Sequence, residues 1–251
     1  MGVEIIPNRD RVKLLNIPVD IVNHEQLGQL VYDLLAMEKE HNIVLLSLWD
    51  LLKARRNSEY KNYLLRASLV IPISKSIVSG LRFLSGKKAV RYMPFDFVVS
   101  LLSILEKREF STYLLGSKKR VLMKTEKNLR QTFPRLRIVG RYTGFFKRHE
   151  EATLVEAIRK ASPSLLLVGR GVRGKEQWIT RNSNILGNGL RLWCSDLFDV
   201  FAEKKKYPSR ATFEKGLEWV FYCFHNPLKI FRVFQYIYYI LLLVIYKLFN
   251  K

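Results

Sequence analysis

STYLLG (111–116), KKRVLMKTEKNLRQTF (118–133), LRIVGRYTGFF (136–146) and SLLLVGRG (164–171) are consecutive stretches of this chain, and their order decides its fold. The first and fourth are short apolar runs closed by glycine, and the third reads as a strand followed by a turn at Gly144. The second reads as a helix from about Lys118 to Phe133. A second helical stretch covers 150–161, and GKEQWITRNS (174–183) supplies a third before the apolar LRLWCSD (190–196). Strands that alternate with helices of this length form a parallel sheet with helices on both faces. In such sheets ligands bind beyond the carboxyl ends of the strands. Gly116, Gly144, Gly169 and Gly171 fall at those ends, where a residue without a Cβ lets backbone N–H groups approach a phosphate. Their spacing matches neither G-x-G-x-x-G nor a P-loop.

The pattern extends toward the N-terminus. VKLLNIPVDIV (12–22) is strand-like, and HEQLGQLVYDLLAMEKE (24–40) has helical periodicity. NIVLLSL (42–48) and SLVIPI (68–73) read as buried strands, and helices are expected at 60–66 and 95–106. Beyond residue 203 the composition shifts. EKKKYPSR (203–210) is a basic loop, and Asn226-Pro227 is a good helix start. Residues 233–246 are apolar on every face, which marks a helix buried in protein or in lipid. These fourteen residues fall short of the ~20 that span a bilayer, although an extension from 227 to 249 would reach across a thin one. Flanking Arg232 and Lys247, with tyrosines between, suit a membrane interface. The expected division is a Rossmann-like core at 1–203 and a basic, helical, membrane-associating appendage at 204–251.

Composition narrows the function. The chain has 251 residues, 48% of them hydrophobic, enough for a real core rather than disorder. It carries 43 Lys plus Arg against 22 Asp plus Glu, so anionic partners are expected. The cations do not cluster with stacking aromatics and no nucleic-acid motif is present, which points away from nucleic acid and toward phosphorylated metabolites and anionic lipid. Cys194 and Cys223 form no C-x-x-C or Cys/His cluster, which argues against a disulfide framework or zinc site. His24, His41, His149 and His225 are scattered without ligand-spaced neighbours. The first residues lack the apolar core of a signal peptide.

Several segments, in order, resemble the WecG/TagA/CpsF glycosyltransferases. They are YLLGS (113–117), FPRLRIVGRYTGFF (133–146), LLLVGRG (165–171) with KEQWI (175–179), FDVFA (198–202), GLEWVF (216–221) and NPLKIFR (226–232); upstream, Arg91 precedes FDF (95–97). The resemblance implies a Rossmann-like enzyme that moves a hexose or N-acetylhexosamine-type sugar from a UDP-sugar to a polyprenyl-pyrophosphate-linked sugar in cell-surface polysaccharide synthesis. It implies work at the cytoplasmic face of the bacterial inner membrane, peripheral or C-terminally anchored, with no metal and no cofactor. Gly116, Ser117, Gly144, Gly171, Glu176 and Asp199 then become candidates for the UDP-sugar. Lys204, Lys205, Lys206, Lys229 and Arg232 become candidates for the lipid pyrophosphate or membrane.

The chain also departs from the family. The family's catalytic Asp, in Pro-Asp-Gly, corresponds to Ile73 in Pro72-Ile73-Ser74, and isoleucine cannot accept a proton. The family's Thr-x-Asn becomes Leu45 and Ser47, and one of its appendage arginines becomes Tyr222, another Lys229. Arg91, and Asp50 as a replacement base, are the candidate catalytic residues; Asp50, on the helix after a strand, is otherwise expected to face solvent or cap that helix. Two readings stand: an active transferase with a relocated base, or a catalytically inactive homologue that binds nucleotide or lipid and supports a partner transferase. A homo-oligomer is left open.

Overall fold

The structure, a computed structural model, describes residues 9–216 and 233–249. Six strands form one parallel sheet: β3 (Glu40–Leu46), β4 (Leu69–Pro72), β5 (Ser111–Leu115), β6 (Arg137–Tyr142), β7 (Leu165–Gly169) and β8 (Gly189–Ser195), in the order β4-β3-β8-β7-β5-β6. Ahead of them, β1 (Asp10–Leu14) and β2 (Ile17–Ile21) make a separate antiparallel hairpin. The expected single strand at 12–22 is therefore two. Leu15 and Asn16 both have positive φ (48° and 65°), the tight turn whose twist suits paired strands.

Burial on both faces explains the apolar runs. Leu165 and Leu167 belong to one core with α1 (His24–Ala36), α5 (Pro94–Lys107), α6 (Lys119–Thr132) and α10 (Leu197–Phe201). Leu166 and Val168 turn the other way, against α7 (Glu151–Ala161) and α8 (Glu176–Arg181). At the opposite end of that second face Val44, Leu46 and Val70 pack on the hairpin and on α2 (Leu48–Arg56), α3 (Ser58–Arg66) and α4 (Lys75–Ser85). Such a two-sided core leaves few polar positions inside a strand. α4 is absent from the sequence expectations, because SKSIVSGLRFLS (74–85) begins with small polar residues. GKEQWITRNS resolves into α8 and a further turn, α9 (Ser183–Leu186).

Two more helices complete the described chain, α11 (Arg210–Glu214) and α12 (Val233–Phe249). α12 is not apolar for burial all round. Only Tyr239 and Leu243 are buried, docked on α4 and the hairpin core. Phe234, Ile237, Leu241, Ile245 and Leu248 are exposed. No helix among the described residues is long and apolar enough to cross a membrane. Lys229, Arg232 and the family-like segments 217–232 lie outside the described residues.

Candidate active site

β3 connects outward to β4, whereas β8 reaches β3's other side from β7, so the loops after β3 and β8 diverge. Two cavities open at that divergence, beyond the carboxyl ends of the strands, where α/β sheets hold ligands. The larger measures 1070 Å³ and runs from Ser47, Ile73 and Arg91 to the cleft between α4 and α12. The smaller, 500 Å³, is bounded by Lys53, Arg170, Gly171, Val172 and Lys175. Trp49, Asp50, Glu176, Trp193, Ser195 and Asp196 line both, so the two cavities share a wall. Each has the size of a small-molecule site, ~300–1,000 Å³.

Asp50 sits in that wall as the third residue of α2. Ser47, the N-cap, donates its N–H (2.9 Å) and hydroxyl (2.5 Å) to Oδ2, and Tyr60 donates its hydroxyl to Oδ1 at 2.9 Å. The Ser47 Oγ in turn accepts the Asp50 N–H, closing a capping box. Asp50 thus caps its helix but does not face bulk solvent. It is half-buried and turned to the cavities. Burial pushes its carboxyl above the ordinary carboxylate range, and the negative Glu176 adds to this, while the bonds from Ser47 and Tyr60 work against it. Burial likewise pushes the Tyr60 hydroxyl up, so it remains a donor.

Around Asp50 the cations gather on the smaller cavity. Lys53, one helical turn on, pairs with Glu176 and lies 3.6 Å above the Tyr60 ring. Arg170 lies 3.3 Å from Asp199, itself only 3% exposed. Lys175 (φ 52°) and Ser195 (φ 51°) hold left-handed backbone, a strain that clusters at functional sites.

The glycines do something other than present free N–H groups. Gly116 N–H donates to Tyr142 O, Gly144 N–H to Ser117 O, and Ser117 N–H to Arg170 O. A Cβ on Gly116 (φ 144°) would lie 2.7 Å from Gly169 Cα, and one on Gly144 2.5 Å from Arg170 O. These glycines let three turns stack, and the stack sets Arg170 and Gly171 at the cavity edge. Gly116, Ser117 and Gly144 lie in the stack, outside the lining of either cavity, while Gly171 and Glu176 line the smaller one. The N-terminus of α6, directly after Ser117, carries Lys118, Lys119 and Arg120 and no acid in its first turn.

On the larger cavity, Arg91 donates to the carbonyls of Ile73 (3.1 Å) and Phe213 (2.9 Å) and stacks on the Phe213 ring. It ties the segment bearing α11 to the end of β4. Lys75 reaches the Lys215 carbonyl. Lys205 pairs with Asp196 and lines the larger cavity, Lys204 lies 3.8 Å from Asp199, and Lys206 is exposed. Beyond the candidates from sequence, Lys53, Tyr60, Arg170, Lys175 and Trp49 also line the cavities. Lys53 was recoverable, because i, i+3 spacing puts it on one face with Asp50.

A parallel α/β sheet carries paired cavities at its carboxyl edge, where such sheets hold small-molecule ligands; one is polar, lined by three cations and three carboxylates, and the other leads to an apolar cleft. The chain belongs to the Glycosyl transferase WecG/TagA/CpsF family, whose profile matches residues 12–251. It is similar to two proteins named N-acetylglucosaminyldiphosphoundecaprenol N-acetyl-beta-D-mannosaminyltransferase. One, from Bacillus spizizenii, is 22% identical over 177 residues, 70% of this chain and 68% of the relative. The other, from Staphylococcus aureus, is 21% identical over 223 residues, 88% and 87% of the two chains.

Proposed function

We propose that this glycosyltransferase moves a hexose or N-acetylhexosamine from a UDP-sugar in the smaller cavity to a polyprenyl-diphosphate-linked sugar in the larger one. The observation that carries this reading is the shared wall: Asp50 borders both cavities, where donor and acceptor would meet. An acceptor hydroxyl attacks the anomeric carbon of the donor, and the bond from that carbon to the diphosphate oxygen breaks. Asp50 takes the hydroxyl proton and UDP leaves with the bonding pair. A carboxyl lifted toward neutrality is suited to that base role. Lys53, Arg170 and Lys175 offset the charge growing on the departing diphosphate. Asp199 acts through Arg170, and Gly116, Ser117 and Gly144 act by positioning it. Arg91 shapes the acceptor side and offers charge to the acceptor's diphosphate.

In this reading residues 1–203 form the transfer core and 204–251 the appendage. The outward apolar face of α12, with Lys247 beside it, rests on an anionic membrane surface at the cytoplasmic face, and Lys204–Lys206, Lys229 and Arg232 add charge there. One observation favours the inactive reading: Ile73 lines the cavity at the end of β4 and places no titratable group there. Acceptor-dependent UDP release separates the two. Release that requires both a UDP-sugar and a prenyl-diphospho-N-acetylglucosamine supports the transferase; UDP binding without release across UDP-hexoses and UDP-N-acetylhexosamines supports the inactive homologue.

A further inference from the structure

The larger cavity does not end at the reacting groups. It continues between α4 and α12, where Ser76, Ser79, Gly80 and Phe83 of α4 border it, at i, i+3, i+4 and i+7. Facing them on α12 are Val233, Tyr236, Ile240 and Leu243, again on one stripe. Two built contacts hold the helices together. Tyr239 donates its hydroxyl to Ser76 O at 2.9 Å, and it fits because residue 80 is glycine: a Cβ there would lie 1.9 Å from that oxygen. At the far end Lys247 donates to Phe83 O at 3.1 Å. Between these contacts small side chains on α4 oppose large apolar ones on α12.

The cavity is graded along its length. Its inner end is charged, with Arg91, Lys75 and Lys205 beside Asp50, Glu176 and Asp196; its outer end holds Phe83, Ile240 and Leu243. Phe83 (43%) and Ile240 (58%) are also exposed, so the apolar wall runs without interruption into the outward apolar face of α12. A ligand matching this gradient has a charged head inside and an apolar tail that leaves toward a lipid phase. We propose that the α4–α12 cleft holds the isoprenoid chain of the acceptor, from its diphosphate outward. This rests on the transferase reading above. From Ser76 to Phe83 the helix rises about 10 Å, so only the isoprene units nearest the diphosphate lie inside; the rest stays in the membrane. The cleft therefore selects for the kind of chain, not for its full length.

The test needs no turnover. The full chain is titrated calorimetrically with dimethylallyl, farnesyl and dodecyl diphosphates below their micellar concentrations. The wild type should bind farnesyl diphosphate at least about tenfold more tightly than dimethylallyl diphosphate, equivalent to about 1.4 kcal/mol, and more tightly than dodecyl diphosphate. Ser79 is exposed on α4, so Ser79→Phe puts a ring into the cleft without disturbing a packed position. It should erase the farnesyl advantage while dimethylallyl affinity, UDP affinity and melting temperature stay put. Equal affinity for farnesyl and dimethylallyl diphosphates in the wild type, or equal loss for both in Ser79→Phe, overturns the cleft assignment. Farnesyl and dodecyl diphosphates binding alike overturns the isoprenoid occupant. A chain-length preference without acceptor-dependent UDP release sinks the transferase reading and leaves the cleft assignment standing.

Discussion

Replacing Asp50 by asparagine separates chemistry from architecture at the wall between the cavities. Asparagine keeps the shape. With its carbonyl toward Ser47 it still accepts the Ser47 N–H and hydroxyl, and its amide can donate to the Tyr60 oxygen, so the 2.9 Å contacts at both ends survive. Three charge-assisted bonds become neutral ones, a loss of about 1 kcal/mol each at most. Removing a desolvated charge offsets part of that. The sign follows from the raised carboxyl: the folded state holds the Asp50 proton more tightly than the unfolded chain. Its contribution is therefore favourable below the ordinary carboxylate pKa and is lost as pH rises through the raised value. The net change at neutral pH should be within about 2 kcal/mol, a melting shift of no more than ~4–8 °C for a chain of this size. The rate should fall far more, by about 10²–10⁴, because the base is gone. Wild-type kcat/KM should fall as pH drops, through a limb above the ordinary carboxylate range, and the variant should lack that limb. UDP release coupled to a nucleotide-detecting assay reads the rate, and scanning fluorimetry reads the fold. A variant that keeps a tenth or more of the wild-type rate, or keeps the acid limb, refutes Asp50 as the base.

The other expectations concern the donor side, the glycine stack and the membrane face. Arg170→Ala removes a cation from the smaller cavity and should lower kcat/KM for the UDP-sugar by about 10–100-fold, the scale of one charged hydrogen bond, with UDP affinity measured in parallel by calorimetry. Gly116→Ala forces a methyl group to 2.7 Å from Gly169 Cα at a φ of 144°; a loss of at least ~2 kcal/mol is expected, read by denaturant unfolding. Ile237→Asp and Leu241→Asp on the exposed face of α12 should cut sedimentation with anionic vesicles while leaving turnover of a water-soluble, short-chain acceptor near wild type.

The sheet was legible because its strands are buried on both faces. Runs such as Leu165-Leu166-Leu167-Val168 are apolar at every position only when helices cover both sides, as two separate cores confirm here. The hairpin was not legible, since Leu15-Asn16 lacks the glycine that usually announces such a turn. α4 was hidden by Ser74, Ser76 and Ser79, whose small side chains border a cavity and give no apolar stripe on that side. For the site, glycine position was readable but glycine purpose was not: strand-end glycines look alike whether they cradle a phosphate or let turns stack, and Gly116 and Gly144 do the latter. Asp50 was visible as a capping residue. That the same carboxylate borders two cavities depends on Trp193, Ser195 and Glu176 arriving from distant parts of the chain.

Joint detection of both products bears most directly on transfer across the Asp50 wall. The full chain, in anionic vesicles containing prenyl-diphospho-N-acetylglucosamine, is supplied with UDP-hexoses and UDP-N-acetylhexosamines in turn, and UDP and lipid are quantified together by mass spectrometry. The expected result is one UDP-sugar that yields UDP and a disaccharide-bearing lipid in equal amounts, with both lost together in Asp50→Asn. UDP bound but never released, with the lipid unchanged for every donor, would contradict transfer and leave the chain a nucleotide-binding homologue.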